Sequence, residues 1–101
     1  LAILNCAICN NDADAAGGGI YSAGNLAIQD TRIFSNSSIL GGGGIMAFGP
    51  LIIVSTTISD NVTRRYGAGI DAVSSISMTN STVSGNNTVF GGYIARHNCP
   101  A

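Results

Sequence analysis

Apolar residues fall in short alternating bursts, and the bursts recur at a fixed distance. Leu1-Ala2-Ile3-Leu4-Asn5 is answered 25 residues later by Leu26-Ala27-Ile28-Gln29-Asp30. Leu51-Ile52-Ile53-Val54-Ser55 and Ile76-Ser77-Met78-Thr79-Asn80 continue the series at the same interval. Between bursts, Ile8, Ile33, Ile58 and Val83 form one column, and Asn11, Asn36, Asn61 and Asn86 another. A glycine cluster follows at Gly17-Gly18-Gly19-Ile20, Gly42-Gly43-Gly44-Ile45 and Gly67-Ala68-Gly69-Ile70, with Gly91-Gly92-Tyr93-Ile94 one residue early. Such self-similarity at a fixed period is the mark of a stacked repeat.

Each unit predicts three short strands: one on the Leu26/Ile28 alternation, one around Ile33 and one at Gly44-Ile45. Strands this short cannot build a sheet from one unit, but equivalent strands can pair in parallel about 4.8 Å apart. The columns Leu1/Leu26/Leu51/Ile76 and Ile3/Ile28/Ile53/Met78 then fill a narrow apolar core. The Asn column sits where a turn needs a left-handed residue or a bridging amide, and stacked amides can satisfy one another. The glycines permit a tight bend or a close backbone approach. A leucine-rich repeat would need an L-x-x-L-x-L pattern, which this chain does not carry. The expected fold is all-β: a right-handed parallel β-helix, uncapped, of four coils (1–25, 26–50, 51–75 and 76–101) forming one domain over 1–101. Handedness here follows the usual rule for parallel connections.

Gly-Gly-Gly-Ile followed by Ile-x-x-Asn resembles the GGA-I/L/V and F-x-x-N repeats of polymorphic outer-membrane and pectate-lyase-like surface proteins. The likeness spans all 101 residues, but Ile8, Ile33, Ile58 and Val83 stand where that family has Phe. It implies the fold and says little of function, since the architecture carries adhesins, lyases, hydrolases and fibres alike.

Composition narrows the function classes. Charged residues are 9% of the chain, against about 25% in ordinary globular proteins, and there is no Lys and no Glu. A net charge of -1 excludes a basic nucleic-acid footprint or a polybasic membrane-surface segment. The uncharged stretch from Ser35 to Ser59 has membrane-like hydropathy, but five glycines and a proline make it a buried repeat and no spanning helix. No membrane insertion is expected.

Catalytic candidates are sparse. Carbohydrate-cleaving β-helices carry clustered Asp with Arg or Lys on one sheet. Here Asp12 and Asp14 share a loop, and Asp30 is expected to pair with Arg32 on one strand. The equivalent positions hold Asn5 and Ala7 before them, and Ser55 and Thr57 after. His97 stands beside Arg96 without a nearby carboxylate. No enzyme, cofactor or metal site is expected. An ice-binding array of Thr31, Thr56, Thr57 and Thr82 is interrupted by Arg32 and Cys6, and Arg64 and Arg65 read as a solvated loop.

The cysteines cluster at the ends: Cys6 and Cys9 in the first coil, Cys99 in the last. A single C-x-x-C makes a poor zinc site, and an odd count suggests a bond between chains. Cys99 is too far from its own first coil, so any such bond crosses a stacking joint; three free thiols are the alternative. Asn36, Asn61, Asn80 and Asn86 each open an N-x-S/T glycosylation sequon. For the column residues an inward amide ladder is preferred over an attached glycan, while Asn80 stays open.

Leu1 begins within a coil and Ala101 ends near the start of the next strand, so one copy could lead into another in phase. The expected function is therefore a non-enzymatic extracellular or cell-surface structural protein whose partner is itself, stacked head to tail into a filament. The alternative is a segment of a longer surface adhesin or passenger β-helix that binds a partner or carbohydrate.

Overall fold

The computed structural model describes residues 1–65, 67–88 and 94–96, the last three by their backbone alone. Its first rung carries β1 (Ala2–Leu4), β2 (Ala7–Cys9), β3 (Asp12–Ala13) and β4 (Ile20–Ser22). The second carries β5 (Leu26–Gln29), β6 (Arg32–Phe34), β7 (Ser37–Ser38) and β8 (Ile45–Ala47). The third carries β9 (Leu51–Val54), β10 (Thr57–Ser59), β11 (Val62–Thr63) and β12 (Ile70–Ala72). The last carries β13 (Ile76–Thr79), β14 (Thr82–Ser84), β15 (Asn87–Thr88) and β16 (Ile94–Arg96). No helix occurs among the described residues, and the uncharged 35–59 stretch is itself made of strands.

Equivalent strands stack into four parallel sheets, β1-β5-β9-β13, β2-β6-β10-β14, β3-β7-β11-β15 and β4-β8-β12-β16. The chain is thus an all-β parallel solenoid of about three turns. Register follows the repeat: Ile3 faces Ile28, Ile28 faces Ile53, and Ile53 faces Met78. Between the third and last rungs the register step is 24 residues, with Ile70 opposite Ile94. A fourth strand per turn, the two-residue β3, β7, β11 and β15, follows the Asn column; the three-strand reading overlooked it because two residues carry no alternation.

Alternate residues of the longer strands point inward. Leu26, Ile28, Ile33, Ile45, Leu51, Ile53, Ile58 and Ile70 are sealed from solvent and, with Ala47 and Ala72, form one continuous core. Each such Ile or Leu contributes about 1.5–3 kcal/mol by leaving water. Ile3, Ile8, Ile76, Met78 and Val83 extend the core to both ends but are only partly covered.

Corners decide how the chain turns from one sheet to the next. Asn5, Asp30, Ser55 and Asn80 adopt left-handed φ values of 52, 52, 48 and 48° between the first and second sheets. Asn10, Ser35, Asp60 and Gly85 do the same before the third, at 58, 56, 54 and 65°. Asn and Asp tolerate this region better than other residues with a Cβ. The Asn11 column is therefore not the left-handed one: that strain falls on the residue before it, and the column supplies the bridging amide instead.

Asn36 shows the bridge in full. Its backbone N–H and Nδ2 both donate to Asn61 Oδ1 at 3.0 Å, and Nδ2 also donates to Ile8 O at 3.1 Å. Asn61 repeats this toward Asn86 and Ile33. The other corner follows the same rule with hydroxyls. Thr56 Oγ1 donates to Val54 O, while Ser81 Oγ receives the Thr56 N–H and donates to Thr79 O. Cys6 stands in that column: its N–H reaches Thr31 Oγ1 and its thiol donates to Leu4 O.

Glycine serves two needs at the remaining corner. Gly42 takes φ +62°, and a Cβ on Gly43 would stand 2.5 Å from Ala68 O and 2.6 Å from Val62 O.

Candidate functional site

The chemistry-bearing residues do not converge. Among the described residues, no three of His, Cys, Asp and Glu come together as a metal-ligand set. Asp12 Oδ1 accepts from Ser37 Oγ at 2.7 Å, an ordinary neighbour contact between rungs. The expected Asp30–Arg32 pair does not form. Asp30 sits at a left-handed corner outside either strand, where its Oδ2 accepts from Gln29 Nε2. Arg32 opens β6 and lays its guanidinium 4.5 Å from the Phe34 ring centre. The corner turns the two side chains apart, and Phe34, two residues along the same strand face, offers the cation a nearer partner. Asp14 and Asp60 are exposed and Asp71 is buried. His97 and Cys99 lie outside the described residues.

The threonines split by facing. Thr31 and Thr56 turn into the corner and are buried, whereas Thr57 and Thr82 pair in register on the outer face beside Arg32. Arg64 and Arg65 are exposed after β11. A shallow hollow beside them, lined by Val62, Thr63, Asn87 and Thr88, opens to solvent. Elsewhere Tyr21 and Phe48 meet edge to face at 5.4 Å, both exposed. Sequence reading passed over this contact because the two residues occupy different columns of the repeat.

Of the four sequon asparagines, Asn36, Asn61 and Asn86 are buried and donate through Nδ2 to carbonyls of the neighbouring rung. A glycan on any of them would remove that donor and open the corner. Asn80 is exposed, at the left-handed position.

Cys6 and Cys9 carry free thiols, Cys6 exposed and Cys9 half-buried. Cys6 precedes β2 and Cys9 ends it; three residues of extended chain set their Cα atoms roughly 10 Å apart at strand rise, beyond the ~7 Å limit for a disulfide. Mild oxidation is therefore expected to leave them unbonded to each other, with alkylation of the native chain faster at Cys6. Peptide mass mapping checks both; a Cys6–Cys9 linked peptide is the contrary result.

What the described residues do offer is the outermost strands of the four sheets. β1, β2, β3 and β4 are edge strands of the four sheets, and β13, β14, β15 and β16 are the opposite edges. Leu1 and Leu4 are 77% and 56% exposed on the first rung, beside the half-covered Ile3 and Ile8. Edges of this kind are templates for a further strand. The candidate site is thus this pair of rung edges, whose groups can bind backbone and apolar side chains but hold no assembled catalytic set among the described residues. Compared with protein-family models, with curated proteins and with solved structures, the chain matches none of them.

Proposed function

We propose that this chain is a non-enzymatic structural protein, a right-handed β-helix working outside the cell or at its surface, that stacks head to tail into a filament. One observation carries the reading. Both terminal rungs present half-covered core residues and strand edges in the same columns, so each edge matches the other in period and chemistry. Pairing them would bury Leu1, Ile3 and Ile8 against Ile76, Met78 and Val83, extending the existing core by one more rung.

Electron microscopy of the purified 101-residue chain, with and without reductant, tests this. Thin unbranched filaments are expected, and their shortening by reductant would place a thiol at the joint. Monodisperse monomers at high concentration, or amorphous aggregate alone, would sink the reading.

A second reading is kept for one reason: the same edges suit further rungs of a longer chain equally well. The protein would then be a stretch of a surface solenoid of the pectate-lyase-like or outer-membrane kind, binding a partner or carbohydrate by its lateral face. The exposed Tyr21–Phe48 pair is the feature there that favours sugar stacking. Monomers that shift Tyr fluorescence on adding oligosaccharide would support it.

A further inference from the structure

We infer that Asn80 carries an N-linked glycan, and that the fold reserves this sequon while closing those at Asn36, Asn61 and Asn86. The inference rests on the extracellular placement above and is independent of how the chain stacks.

A sequon pairs an asparagine with a hydroxyl residue two positions on, and an extended chain sets both on one side. In the Asn column that side faces in. Asn36 and Ser38 are buried together, as are Asn61 and Thr63. The Ser38 hydroxyl donates to Gly41 O at 2.9 Å, and Thr88, which completes the Asn86 sequon, donates its own to Arg65 O. Both amide hydrogens of Asn36 are engaged, one by Asn61 Oδ1 and one by Ile8 O, and Asn61 is held in the same way. A sugar on either nitrogen would displace a buried hydrogen bond.

Asn80 differs on each count. Asn80 and Thr82 are both exposed, and the Asn80 amide takes no hydrogen bond among the described residues. Its left-handed φ of 48° places it at the corner shared by Asn5, Asp30 and Ser55, which is exposed in every rung. Asp30 and Ser55 have a rung on either side and still face solvent, so the exposure belongs to the corner and not to the last rung. Thr82 stands in the outward column of Arg32 and Thr57. Between them, Ser81 Oγ is tied to Thr56 N–H and Thr79 O, which holds the corner without help from the Asn80 side chain. The equivalent pairs Asn5/Ala7, Asp30/Arg32 and Ser55/Thr57 each lack one half of the motif. In the transfer, Asn80 Nδ2 bonds to the sugar C1 of a lipid-linked oligosaccharide diphosphate. The bond from that carbon to the diphosphate oxygen breaks, and the amide proton leaves with the released lipid diphosphate. Water satisfies the remaining N–H, and the sugar stands clear of the core.

Secretion of the 101-residue chain from a eukaryotic host that attaches N-glycans tests the inference, with glycopeptide mass mapping of the folded, soluble product. A glycan on Asn80 and on none of the other three is expected. Asn80→Asp should abolish it and keep the corner, since Asp30 holds the same left-handed position. Thr82→Val should abolish it with Asn80 still in place, because only the outward hydroxyl is lost from β14. Far-ultraviolet circular dichroism of both variants should match the parent chain. A bare Asn80 in the folded product, or a glycan there on Asn36, Asn61 or Asn86, overturns the assignment. Electron microscopy after enzymatic removal of the glycan reads stacking separately: a chain that never assembles overturns the filament and leaves the Asn80 glycan standing.

Discussion

Replacing Asn61 with Ala should cost about 4 kcal/mol and lower Tm by about 20 °C, the largest effect expected of any polar substitution in the chain. Asn61 stands at the middle of the ladder, fully buried, between two other asparagines. Its loss leaves Asn36 N–H and Asn36 Nδ2 without their shared acceptor and Ile33 O without its donor. Each such buried orphan costs roughly 1–3 kcal/mol, and water cannot enter a corner packed this closely. Asp at the same position restores an acceptor but brings a buried carboxylate against the Ile33 carbonyl and Asn86 Oδ1, so it should fare no better. Thermal unfolding followed by circular dichroism decides it. A drop of only a few degrees would mean the amides contribute little beyond the backbone ladder.

Gly43→Ala is the second large effect, expected at about 3 kcal/mol or more. The new methyl would lie 2.5–2.6 Å from the carbonyl oxygens of Ala68 and Val62, which are backbone atoms of the adjacent rung and corner. Flexible side chains can swing away from an intruding methyl; paired strands cannot, because moving them breaks rung-to-rung hydrogen bonds on both sides. Gly24→Ala is the control: nothing lies within 4 Å of its added Cβ, and its effect should stay within roughly 0.5 kcal/mol. Equal midpoints for the two variants in urea would refute the close-approach argument.

Much of this architecture was legible before any coordinates. A 25-residue period places like residues on neighbouring rungs, so Leu26 opposite Leu51 and Ile33 opposite Ile58 follow once parallel stacking is assumed, and both pairs are observed. The amide ladder was legible for the same reason: an Asn at the same place in every repeat meets an equivalent Asn on each adjacent rung. Less visible was the residue preceding it. Asn10, Ser35, Asp60 and Gly85 share no side-chain chemistry; what they share is a left-handed backbone, and that property belongs to the corner rather than to the residue. The Thr31 column hid in the same way, because Thr suits either an exposed strand or a buried corner.

Columns that point away from the core were the least readable. Tyr21, Met46 and Asp71 are register partners between inward-facing neighbours, which predicts exposure for all three. Tyr21 is 58% exposed, yet Met46 and Asp71 are buried at 7% and 1%. Arg32 likewise chose the Phe34 ring over the carboxylate two residues away. By itself, then, the sequence determined the period, the parallel register, the apolar core columns and the Asn ladder, since each is a property that repeats and so depends only on one rung meeting its copy. Only the tertiary structure decided which residues take the strained corners, which outward side chains are covered, and which way the ladder points. Those depend on how the turns between strands fold against one another, and the turns are where the repeats differ.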